Sequence, residues 1–246
     1  MKMAMAYLYT ITRYGYPPQE DDDIDAMKRL CGMGFRNLEL EGLFREHLLS
    51  VWRNRKQRRQ LADDLGVHIH NFCPVVPECF HMDPKVRTEG FDLFRRGVEC
   101  AVEFGCETLH IATFHPPVRF KGASPYAGQM NFATRYEVEV DPAFRFADYW
   151  KVVVESVRRS AELAHEAGMK LIVEPRVGEV ISHTDSLLRL IDWVDHPACH
   201  ANLDLAHLHA QKELLPIAAE KLAGRIAGVH VADNDEIGRA SCRERV

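Results

Sequence analysis

Glu174, Asp204 and His230 each stand at or near the end of an apolar run. The runs read Leu171-Ile-Val-Glu174, Asn202-Leu-Asp204-Leu-Ala-His207 and Ala227-Gly-Val-His230-Val231. Buried strands that each deliver one charged or ligating group to the same end of a sheet assemble a site for a hard cation. Carboxylate oxygens with one or two imidazoles suit Mn²⁺, Mg²⁺, Co²⁺ or Zn²⁺ and do not choose among them. Singly, each residue has a structural explanation. A strand-end Glu can be half of an ion pair, here with Arg176 two positions on, and a lone His is more often hydrogen-bonded than coordinating. Three of them in register on successive strands favour ligation.

Those ends need strands to carry them. Short apolar runs alternate with longer amphipathic stretches, the pattern of βαβ units around a parallel sheet. Strands are expected at Met5–Thr12, Gly34–Gly42, Val67–Phe72, Cys106–Phe114, Met169–Glu174, His200–Leu205 and Ile226–Val231. Helices are expected at Asp21–Met33, Leu48–Asp64, Pro84–Phe104, Phe146–Ala167, Thr184–Val194 and Leu214–Leu222. The strongly basic Leu48–Asp64 stretch reads as a solvated outer face. A length of 246 residues suits a (β/α)8 TIM barrel, an α/β fold of typically about 250 residues. No Gly-rich dinucleotide turn follows the first strand, where the chain reads Arg13-Tyr-Gly-Tyr-Pro-Pro18, and no phosphate loop occurs. In a barrel the strand C-termini and the loops after them form the site.

A formal net charge of −5 argues against non-specific nucleic-acid binding. The seven cysteines are scattered without a C-x-x-C pair, so structural zinc is not expected and reduced thiols are. No apolar stretch is long enough for a membrane span or a secretory signal. The expectation is a cytoplasmic protein acting on a small molecule, with no nucleic-acid or membrane partner.

The strand-end pattern resembles the xylose isomerase-like superfamily of sugar and sugar-phosphate isomerases and epimerases, which also contains endonuclease IV. Gly34-Phe-Arg-Asn-Leu-Glu39-Leu resembles the family's strand two. Val173-Glu174-Pro175 resembles strand five, Asp204-Leu-Ala-His207 the D-x-x-H of strand six, and His230-Val-Ala-Asp233 the H-x-x-D of strand seven. The resemblance implies metal ligation by Glu174, Asp204 and His230, with Glu174 also the catalytic acid/base, and substrate contact by His207. It implies proton transfer next to a carbonyl through an enediolate stabilised by the metal, and homo-oligomers of the full-length protein. Arg176 is a candidate to orient a substrate oxygen. His115, followed by Pro116, and His70, which shares a strand face with His68, are further candidates for substrate binding. His110 lies within strand four, and His183 could touch substrate or cap the helix after it. The long connection from Pro116 to Phe146 suits a lid, and its Arg119 and Lys121 suit a phosphate.

The family's fourth ligand, usually a Glu, comes from strand eight, and no residue here takes that role. Glu236 to Val246 has no periodicity and resembles a translated sequencing adapter, so 236–246 is read as a non-native scar. Residues 1–235 are then an incomplete TIM-barrel domain whose eighth strand and helix are missing. Open edges invite aggregation, so this chain is expected to be poorly soluble or inactive although its parent is active. Rival readings are a dehydratase of a cyclic polyol or keto acid on the same frame and a non-catalytic metabolite-binding barrel. An endonuclease is disfavoured by the acidic charge.

Overall fold

Six parallel strands form one curled sheet in the computed structural model, which describes residues 2–19, 21–122, 124 and 136–232. In chain order the elements begin with helices α1 (Leu8–Tyr14) and α2 (Asp22–Gly32), then β1 (Asn37–Leu43), α3 (Phe44–Arg53) and α4 (Arg55–Leu65). β2 (His68–Val75), α5 (Pro84–Phe104), β3 (Thr108–Ile111) and a small antiparallel pair, β4 (Arg119–Phe120) and β5 (Val138–Glu139), follow. Then come α6 (Phe146–Glu166), β6 (Lys170–Val173), α7 (Thr184–Val194), β7 (Cys199–Asp204), α8 (Leu205–Ala210), α9 (Leu215–Lys221) and β8 (Ile226–His230).

The sheet order β1-β2-β3-β6-β7-β8 never reverses along the chain. A doubly wound sheet reverses at a switch point, so this is the wall of a TIM barrel. The wall curls until its first and last strands meet through side chains, with His230 Nε2 3.2 Å from Glu39 Oε2. Apolar residues on the outer sheet face, such as Leu38, Leu40, Leu171 and Leu203, pack with the inner faces of α5, α6 and α7 to form the core. The polar inward face is left for the site.

Most expected elements occur within a few residues of their expected bounds, with two departures. The first expected strand is only an isolated parallel bridge, Met5 to Leu38, and Leu8–Tyr14 is helical. Its β-branched residues favour a strand locally, but Thr12 Oγ1 bonds the Leu8 carbonyl at 2.7 Å and Gly15 ends the helix at φ 105°. The expected helix Leu48–Asp64 is two helices, broken at Asn54. Nor is its basic face all solvated. Arg58 is fully buried against Asp23, at 3.3 Å, and the Tyr7 hydroxyl donates to the same carboxylate at 2.6 Å. Among the described residues no helix is long and apolar enough to cross a membrane. Asp233 and the segment 236–246 lie outside the described residues.

Candidate active site

Side chains alternate across a strand, so every second residue of each strand faces the barrel interior. On β7 these are Asn202 and Asp204, and on β8 Gly228 and His230, with Asp204 paired in register to His230. Glu174 follows β6 directly, beside Asn202. On β1 the burial alternates so that Leu38 and Leu40 pack outward while Glu39 and Glu41 face in. Gly228 leaves room for the Asn202 amide, because a Cβ would lie 2.5 Å from its Oδ1.

Glu174 is the hub. Its Oε1 lies 2.6 Å from His230 Nδ1 and accepts a hydrogen bond from Asn202 Nδ2 at 2.9 Å. Its Oε2 lies 3.6 Å from His110 Nε2 and 3.5 Å from Arg176 Nε. His230 Nδ1 is 3.7 Å from Asp204 Oδ2, while its Nε2 faces Glu39, whose other oxygen is 3.5 Å from His70 Nε2. Asp204 is also the N-cap of α8 and accepts from the His207 backbone N–H at 2.8 Å. The D-x-x-H spacing is thus a helix cap as well as a constellation.

Burial alone would raise the Glu174 carboxyl, but the facing His230 and His110 rings outweigh it and hold it well below the usual range. Burial opposes the charged form of His230, yet Glu174 and Glu39 keep its pKa well above the ordinary imidazole value. Asp204 is pushed up to about 7 by burial and by the Glu174 charge. Burial takes His207 down to about 3, leaving it a neutral imidazole.

These residues fit a divalent cation. Glu174, Asp204 and His207 each present a donor atom, all within 4.8 Å of one another. Glu174 stays ionised and raises the proton affinity of Asp204 beside it, a buried negative charge that a dication offsets. Carboxylates with imidazole are a donor set for Mn²⁺, Mg²⁺, Co²⁺ or Zn²⁺.

Of the residues singled out in the sequence, Glu174, Asp204, His207, His230, Arg176 and His70 come together at the strand ends. His110 and Glu39, noted in the sequence without roles, join them, and the remaining candidates make their contacts elsewhere. His115 packs edge-on against Phe120, with ring centroids 4.9 Å apart, at the root of the long connection. His68 pairs with Glu107, and His183 sits at the N-cap of α7 facing Glu213. Arg119 and Lys121 both pair with Glu139 across the exposed β4–β5 hairpin. Glu41, Asn202 and Glu179 line or support the site and were not marked as such in the sequence, nor were Glu39 and His110 given roles. The Leu-Glu-Leu-Glu alternation over residues 38–41 was a usable signal, as was Asn202 two positions before Asp204. Glu179 lies in a loop and offers none.

A stretch of 84 residues is 30% identical to the inosose dehydratase of Clostridium perfringens, covering 34% of this chain and 28% of that protein's length. The structure is similar to 3-keto-D-glucoside 4-epimerase, YcjR, from E. coli, with TM-score 0.70 and 17% identity over 95% of this chain and 80% of that one. It is also similar to the probable 3-DHS dehydratase AsbF from Bacillus anthracis, with TM-score 0.66 and 16% identity over 96% of this chain and 75% of that one. At such identities the two structures speak for the fold alone. The family-level profile of the xylose isomerase-like TIM barrel matches residues 20–244. The chain therefore belongs to the xylose isomerase-like TIM-barrel family.

Proposed function

We propose that the protein is a divalent-metal-dependent sugar isomerase or epimerase that moves a proton next to a carbonyl, through an enediolate. The observation that carries the reading is the convergence of Glu174, Asp204, His207 and His230 at one barrel mouth, with Glu174 buried among donors. When bound, the cation supplies Lewis-acid polarisation of a substrate carbonyl and hydroxyl. Glu174, Asp204 and His230 would hold it, and His207, whose ring nitrogen lies within 4.8 Å of donor oxygens of both carboxylates, stands beside it. Glu174 takes or returns the carbon-bound proton. His207, neutral through burial, hydrogen-bonds a substrate oxygen, and Arg176 orients a second one. His70 borders the mouth on the β2 side through Glu39.

The match to an inosose dehydratase favours one second reading, loss of water from a cyclic polyol or keto acid on the same frame. Proton NMR in D₂O with Mn²⁺ and either ketohexoses or a keto-inositol separates the two. An epimerase or isomerase exchanges a carbon-bound proton and keeps every hydroxyl, whereas a dehydratase yields an unsaturated product. Glu174→Gln abolishes either reaction. Retained substrate binding with no turnover by the native protein under any of these conditions would instead favour a metabolite-binding barrel.

A further inference from the structure

Glu179 lies in the loop after β6, with its side chain fully buried. Its Oε2 accepts the backbone N–H groups of both Thr113 and Phe114 at 2.9 Å, with Thr113 Oγ1 3.4 Å away. Phe114 is left-handed, at φ 58°, a conformation that a bulky L-residue rarely adopts. Successive amides turned to one point make an anion-binding concavity, and Glu179 fills it. The same loop is stitched to that strand end by Val180 N–H to the Phe114 carbonyl at 2.9 Å and Ile181 N–H to Thr113 Oγ1 at 3.1 Å. The other carboxylate oxygen of Glu179 is 3.7 Å from Arg176 Nε, which is itself 3.5 Å from Glu174 Oε2. One guanidinium nitrogen therefore stands between a carboxylate of the site and one behind it.

We propose that Glu179 is a positioning residue with two tasks. One oxygen holds Phe114 left-handed and so sets the direction in which the chain leaves β3 toward His115. The other shares Arg176 with Glu174, so that the guanidinium does not saturate the Glu174 carboxylate. The second task rests on the reading of Glu174 as a cation ligand, and the first does not. Replacing the Glu179 carboxyl turns Arg176 wholly onto Glu174, where it competes with a cation for the same oxygens.

Glu179→Gln separates the tasks. The Gln carbonyl still accepts from Thr113 and Phe114, while its NH₂ group faces Arg176 donor to donor. Calorimetric titration with Mn²⁺ should show binding weakened about ten-fold, the scale of an outer-shell substitution, with Tm little changed. Arg176→Gln added to Glu179→Gln should restore the affinity to near the original. A merely structural Glu179 would lower Tm without moving the Mn²⁺ affinity. An unchanged affinity in Glu179→Gln, or no rescue by the second substitution, overturns the sharing of Arg176. Amide hydrogen exchange at Thr113 and Phe114 needs no metal, and it should accelerate in Glu179→Ala but not in Glu179→Gln. Unaltered exchange in Glu179→Ala overturns the clamp. If the unsubstituted chain takes up no Mn²⁺, the reading of Glu174 as a ligand fails. The sharing of Arg176 is then judged by exchange of its Nε–H, which accelerates in Glu179→Gln if the pair exists and stays the same if it does not.

Discussion

Replacing Arg58 by Met removes a guanidinium that is 1% exposed and leaves Asp23, which has no exposed surface, without its closest cation. Met keeps most of the side-chain length, so the change isolates the charge. Breaking a buried pair by removing one partner costs about 3–5 kcal/mol. Two groups remain near the stranded carboxylate, the Tyr7 hydroxyl at 2.6 Å and His47 Nε2 at 3.9 Å. Protonation sets a ceiling on the cost. Neutralising a carboxyl of ordinary pKa about 3.9 takes about 4 kcal/mol at pH 7 and about 1.5 kcal/mol at pH 5. Burial already raises the Asp23 carboxyl in the intact protein, against the pull of Arg58, and losing Arg58 raises it further. A folded-state pKa above the unfolded one gives stability that is complete below the unfolded value and is lost as pH rises. The Arg58→Met deficit should therefore grow from pH 5 to pH 7, toward that ceiling. Urea unfolding followed by circular dichroism measures it at both pH values. Adding Asp23→Asn, which removes the stranded charge while keeping an acceptor for Tyr7, should recover most of the loss. A deficit below about 1 kcal/mol at pH 7, one that does not change with pH, or a double variant no more stable than Arg58→Met would refute the reasoning.

Three further outcomes are expected. Gly228→Ala places a methyl 2.5 Å from Asn202 Oδ1 and displaces the amide that donates to Glu174. Mn²⁺ affinity should fall about ten-fold, as read by calorimetry, and full retention would show that Asn202 does not orient Glu174. Asp195 ends α7 exposed and left-handed at φ 46°, so Asp195→Gly should raise Tm by about 2–4 °C, measured by scanning calorimetry. Mn²⁺ at about 100 times its dissociation constant should stabilise the chain by about 2.7 kcal/mol. Asp204→Asn should abolish most of that gain in a thermal-shift titration, and an equal gain in both proteins would move the cation elsewhere.

Helices α5 and α7 were legible almost to the residue because their ends carry local signals. Asp83 accepts from the Lys85 N–H, Pro84 takes the first helical position and Gly105 turns left-handed at the end. The metal-type constellation was legible because apolar runs stopped at Glu174, Asp204 and His230. What stayed hidden depends on partners distant in sequence. Arg58 looks like any other solvated helix arginine until Asp23, 35 residues away, is packed against it. Glu179 gains its meaning from Thr113 and Phe114, 66 and 65 residues earlier. The segment after Met5 carries strand-type residues yet forms a helix, because packing decides short segments over propensity.

His230 joins two jobs that are usually separate. The same ring that touches Glu174 at the mouth also reaches Glu39 and fastens the last described strand to the first. Breathing of that seam and occupancy of the mouth are therefore thermodynamically linked through one imidazole. A ligand that recruits His230 would change how often β8 peels from β1. Backbone amides of residues 226–230 would register the event, giving a substrate screen that needs no knowledge of the product.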